Sequence, residues 1–128
     1  RFYTLDFSPP MSIYYLAMRI DYPNRHDRRH GYTGSAIMIH GNCVSIGCLA
    51  MTDARIEELW AFTHLVRRQR RVRVHLYPRR DLAAAIRGTK DKALASFWRT
   101  LQRGHAYFDR HGRPPRISLD RQRRYRFR

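Results

Sequence analysis

A histidine closes the apolar run Ile37-Met38-Ile39-His40, and Gly41 follows it. Eight residues past His40, the turn Ser45-Ile46-Gly47 delivers Cys48. Sulfur attacks as the thiolate, and a free thiol with a pKa near ~8.5 is only a few per cent ionised at neutral pH. A nearby imidazole is the usual activator, so His40 and Cys48 make a candidate base and nucleophile for acyl transfer. Gly47 removes a side chain beside the sulfur, which lets a carbonyl approach while backbone N–H groups face the developing oxyanion.

Each of these residues has a plainer use. Cys48 could be a small buried hydrophobe, and His40 a satisfied core histidine after Ile-Met-Ile. Ser45 is as suited to bracing its loop through side-chain-to-backbone hydrogen bonds as to touching substrate. The pattern His40-x-x-Cys43-x4-Cys48 also matches three zinc ligands, with His75 or His64 as a fourth. A Cys43–Cys48 disulfide would close a tight loop and consume the nucleophile. His75 lies on the strand face opposite Val74, where it lines a pocket or meets water. Arg79 and Arg80 follow Pro78, and Arg80 is a candidate clamp for a substrate carboxylate.

The formal net charge of +16 is carried by arginine, since Lys90 and Lys92 are the only lysines. Such a balance favours a polyanionic partner, or simply coats the surface. No RNP, zinc-finger or helix-turn-helix signature is present, so no specific nucleic acid is expected; a basic nucleic-acid-binding module and a structural zinc module remain the non-catalytic alternatives. No apolar run nears the ~20 residues that span a bilayer, so no transmembrane segment is expected in this chain. A length of 128 residues with 43% hydrophobic and 12% aromatic residues suits one domain, 1–128, with a real core. The chain starts at Arg1 and enters a strand-like run directly, so an N-terminally truncated domain is expected, with any signal sequence outside it.

The elements that must position the candidate pair form an α+β, strand-led order with about three helices. Residues 1–7 and 12–20 read as strands around Ser8-Pro9-Pro10, and Asp21 to Gly34 as a polar, basic loop. A short buried strand over 35–39 presents His40 at its end. Thr52 or Asp53 caps a helix to about Arg67, with Ile56, Leu59, Trp60, Thr63 and Val66 on one face. Val72, Val74 and Leu76 alternate as a strand. Asp81 to Arg87 reads as a short helix, and Thr89 caps another that ends at Gly104. A hairpin over 117–119 and 125–127 closes the chain.

The run from Asp21-Tyr22-Pro23-Asn24 through Ile39-His40-Gly41, Ser45-Ile46-Gly47-Cys48 and Ala50-Met51-Thr52-Asp53 to Ile56-Glu57-Glu58-Leu59 resembles the L,D-transpeptidase (YkuD-type) catalytic domain. The resemblance continues through Val74-His75-Leu76-Tyr77-Pro78, Phe97-Trp98 and Tyr107-Phe108, and is nearest the YafK-like branch. The commoner family motif is Ser-His-Gly-Cys; here Ile46 stands at the second histidine, and Ala50 near a usual Asn or Arg.

The resemblance implies a cysteine enzyme without cofactor or metal, acting on peptidoglycan stem peptides at the L-centre of diaminopimelate through a thioester. The outcome is transpeptidation or hydrolysis; the alternative is a hydrolase that releases cell-wall-linked lipoprotein from diaminopimelate without cross-linking. Carried onto this chain, Cys48 is the nucleophile and His40 the base. Gly41 holds the His40 turn, while Ser45 and Gly47 shape the nucleophile loop. His75 and Arg80 are the substrate-binding candidates. A periplasmic or cell-wall location is implied.

Overall fold

A computed structural model describes residues 2–6, 13–67 and 71–127. The chain divides into two compact units, one over Phe2–Val74 and the other over His75–Arg128. The first holds the strands β1 (Phe2–Asp6), β2 (Ala17–Ile20), β3 (Met38–His40), β4 (Leu49–Ala50) and most of β5 (Arg73–His75), with the helices α1 (Arg25–Arg29) and α2 (Asp53–Arg67). The sheet runs β4-β3-β2-β1-β5. β1 and β3 flank β2 in antiparallel pairs, whereas β4 lies parallel to β3.

Register assigns the two faces of this sheet. Met18 pairs with Ile39, and the Thr63 hydroxyl of α2 donates to the Met18 sulfur at 3.2 Å, so this face packs on the helix. Ile56 and Thr63 of α2 are buried as the helical periodicity requires, with Leu59, Trp60 and Val66 half-buried beside them. Because side chains alternate across a strand, Ala17, Arg19 and His40 point the other way. The buried Met18, Ile20, Ile39 and Ile56 form the apolar seam between sheet and helix. Fully burying a side chain of this size stabilises the fold by ~1.5–3 kcal/mol.

Three local expectations are corrected here. The stretch over 21–34 contains a helix, α1, because Asn24 accepts the backbone N–H groups of His26 and Asp27, and Asp27 returns a bond to the Asn24 N–H. This reciprocal cap ties one short turn together, and the Asn24 amide also donates to the Phe2 carbonyl at 2.7 Å. The strand expected over 12–20 shrinks to Ala17–Ile20, since Tyr15 adopts φ +62°, which breaks the pleat. The strand expected over 35–39 becomes Met38–His40 for the same reason: Ala36 sits at φ +56° and is exposed with Ser35. The Ser8-Pro9-Pro10 hinge lies outside the described residues.

The second unit contains α3 (Leu82–Gly88), α4 (Lys92–His111) and the antiparallel hairpin β6 (Ile117–Leu119) with β7 (Tyr125–Phe127). Counting α1, four helices are described where about three were expected. Asp91 caps α4 by accepting from Ala93 and Leu94; Thr89 instead ends α3 and accepts the Asp91 N–H. Gly104 does not end α4. It is a buried mid-helix position where a Cβ would come within 2.9 Å of the Phe127 ring, so its role is close approach to the hairpin. The helix stops at Gly112, which takes the left-handed conformation at φ +60°. Among the described residues, no helix is long and apolar enough to cross a membrane.

Candidate active site

The connection from His40 to Cys48 must carry the chain back along β3 so that β4 can start parallel to it. Parallel strands usually need a dozen or more linking residues. This shorter link relies on tight backbone turns, with Asn42 at φ +64°, Cys43 at φ +46° and Gly47 at φ +152°. Two hydrogen bonds fix its first half: Asn42 N–H donates to the Asp53 carboxylate at 2.7 Å, and Cys43 N–H to the Met51 carbonyl at 3.2 Å. Ser45 fixes the second half, its hydroxyl donating to the Cys48 carbonyl and accepting the Gly47 N–H, both at 2.9 Å.

Gly41 leaves no room for a side chain. A Cβ there would collide with the Asp53 carboxylate and lie 3.1 Å from Ile56. At Gly47 the constraint differs, since nothing lies within 4 Å of a Cβ and only φ selects glycine.

His40 is 1% exposed, under the Tyr14 ring stacked on it at a centroid separation of 4.6 Å. Its Nδ1 lies 2.6 Å from the Gly41 carbonyl oxygen. A carbonyl only accepts, so Nδ1 carries the proton and Nε2 keeps the lone pair in the neutral ring.

Ile39 pairs with Leu49, and His40 with Ala50. Cys48 immediately precedes β4, the strand that pairs with His40. Ala50 pairs with His40 and lies two residues from Cys48, so the Cα atoms of Cys48 and His40 are within ~12 Å of each other. Their side chains are not hydrogen-bonded to each other: the half-buried Cys48 thiol donates to the Ala36 carbonyl at 3.7 Å. Cys43 and Cys48 are both free thiols, and Cys43 is exposed. Among the described residues, no three His, Cys, Asp or Glu side chains gather to hold a metal, so the zinc set His40, Cys43, Cys48 with His64 or His75 is not assembled.

His75 and Arg80 belong to the second unit. His75 is half-buried and its Nδ1 lies 3.5 Å from the Tyr77 hydroxyl, while Arg80 is exposed. Two residues beside His40 escaped the sequence reading. Tyr14 lies in a strand-like apolar run, where an aromatic reads as packing. Asp53 was legible as a helix cap, but its bond to the Asn42 N–H joins two segments that no local pattern connects.

The family model of the L,D-transpeptidase catalytic domain, YkuD, matches residues 1–75, more than half of the chain. The chain therefore belongs to the YkuD L,D-transpeptidase catalytic domain family. Over 112 residues it is 44% identical to a protein of Escherichia coli strain K12 named "Putative L,D-transpeptidase YafK", and equally to its namesake in Escherichia coli O157:H7. These matches take in 86% of this chain and 46% of each relative, so the chain spans about half the length of the curated relatives it matches.

Proposed function

We propose that the chain carries a cysteine acyl-transfer site for peptidoglycan stem peptides, cutting at the L-centre of diaminopimelate through a thioester. Family membership supports the reaction class. The observation that supports the residue assignment is the parallel β3–β4 pairing, which puts Ala50, two residues after Cys48, beside His40.

In this reading, His40 Nε2 takes the Cys48 proton while Gly41 holds Nδ1–H and hence the tautomer. The sulfur turns away from the Ala36 carbonyl and attacks the substrate carbonyl carbon, forming a C–S bond. Ser45 already occupies the Gly47 N–H, so the Cys48 N–H is the donor assigned to the oxyanion. Collapse breaks the C–N bond, and the imidazolium returns its proton to the leaving amine. An acceptor amine then gives a cross-link, or water gives hydrolysis; release of a wall-linked lipoprotein is the hydrolytic case. Such a substrate puts the work in the periplasm or cell wall.

Mass spectrometry of the protein mixed with the tetrapeptide L-Ala-γ-D-Glu-meso-diaminopimelate-D-Ala tests this. The expected result is an acyl adduct on Cys48, lost in Cys48→Ala and formed ~10²–10⁴-fold more slowly in His40→Ala. An unchanged adduct in Cys48→Ala would refute the assignment.

A further inference from the structure

A cavity of about 480 Å³ opens beside the candidate site, lined in part by Arg19, Arg25, Arg28, Asp6, Asp21 and Ala36. Ala36 joins the two places, because its carbonyl oxygen is the atom that the Cys48 thiol touches. Sheet register gives an independent link. Asp6 pairs with Arg19, and Arg19 with Met38, two residues before His40 on β3. Arg19 thus lies on the sheet face of His40, one strand across and two residues along, which is ~8 Å between Cα atoms.

The charges in this cavity are not equally engaged. Arg19 is bound to Asp6, its Nε donating at 3.1 Å. Arg28 donates to the Pro23 carbonyl, and the Asp21 carboxylate accepts the Thr4 N–H at 2.7 Å. The exposed Arg25 guanidinium has no hydrogen-bond or ion-pair partner among the described residues. Three guanidinium groups against two carboxylates leave a formal charge of +1. That excess suits one carboxylate, met by a guanidinium fork, better than a dianionic phosphate.

We infer that this cavity is a carboxylate-binding subsite, with Arg25 as the receiving group, that holds a free carboxylate of the peptide presented to Cys48. The inference rests on the acyl-transfer reading for the identity of the peptide, while the binding itself needs no chemistry at the sulfur.

Titration calorimetry on the Cys48→Ala protein separates the two. The probes are the tetrapeptide L-Ala-γ-D-Glu-meso-diaminopimelate-D-Ala and the same peptide amidated at the side-chain carboxyl of diaminopimelate. The free acid is expected to bind ~10-fold more tightly than the amide, the scale of one charge-assisted contact. Adding Arg25→Gln should bring the two peptides to parity, with an unchanged melting temperature. Arg110→Gln, an exposed position on α4, should leave the preference intact.

Equal affinity for acid and amide, or no binding of either, would overturn the subsite. So would an equal loss in Arg110→Gln, which would mean general attraction to a +16 chain. A preference that persists while the wild-type protein forms no thioester would uphold the subsite and remove the acyl-transfer reading.

Discussion

Asp53, the first residue of α2, accepts the Asn42 backbone N–H at 2.7 Å and so clamps the loop leaving His40 to the helix. The same carboxylate oxygen occupies the space a side chain on Gly41 would need. Asp53→Ala is therefore expected to cost about 1 kcal/mol, the usual scale for losing a side-chain acceptor at a helix start. Gly41→Ala must push the clamp apart and should cost ~1–3 kcal/mol. Thermal melting measures both; a stability unchanged in Gly41→Ala would show that Asp53 moves freely.

Tyr14 covers the His40 ring, and its loss would open that ring to water. Tyr14→Ala is expected to slow thioester formation by roughly 10-fold through loss of ring orientation. Tyr14→Phe keeps the stacked ring and should retain the wild-type rate and pH profile. If Tyr14→Phe fell as far as Tyr14→Ala, the hydroxyl rather than the stacked face would be what matters.

Gly104→Ala sets two effects against each other. Alanine favours a helix interior by ~1 kcal/mol over glycine. The new Cβ, however, would meet three atoms of the Phe127 ring at 2.9–3.5 Å, and overpacking of this kind costs ~1–3 kcal/mol. A net loss of about 1 kcal/mol in denaturant unfolding is expected. The double variant with Phe127→Leu should recover it, because the obstructing ring is gone.

Two groups make stability depend on pH at opposite ends of the scale. The Arg124 backbone N–H, at 2.8 Å, is the main reason the Asp120 carboxyl sits below its ordinary range, with the Arg124 and Arg126 guanidinium groups adding to it. Its native-state acidity exceeds that of the unfolded chain, so its contribution is complete above the unfolded carboxylate value near ~4. That contribution is lost as pH falls through the lower folded value. Melting curves below pH ~4 should steepen for the wild type relative to Asp120→Asn.

At the alkaline end, burial pushes the Tyr77 hydroxyl up to about 12, with the Asp109 charge adding to it. The folded state thus keeps this proton longer than the unfolded chain, and stability should fall as pH rises from ~10 through about 12. Tyr77→Phe should remove that part of the alkaline loss. Spectrophotometric titration checks it directly, since the tyrosinate absorbance gained near pH 12 should shrink in Tyr77→Phe.

The amino-acid sequence by itself determined the candidate reacting groups and the elements with strong local signals. His40 after an apolar run, the Gly47-Cys48 turn and the periodicity of α2 depend on residue type and spacing, which are local properties. The caps were harder to read, because Thr89 and Asp91 both suit the role; Asp91 accepts the first N–H groups of α4, while Thr89 closes α3. Gly104 looked like a helix stop until the Phe127 ring, 23 residues further on, supplied another reason for a missing side chain. Tertiary structure alone decided that Asp53 holds the Asn42 N–H, that Tyr14 lies over His40, and that Arg19 shares a cross-strand row with Met38 on the face of His40. Each of these joins segments distant in sequence, and strand register, set by which faces can be buried together, is the physical quantity that brings them into reach.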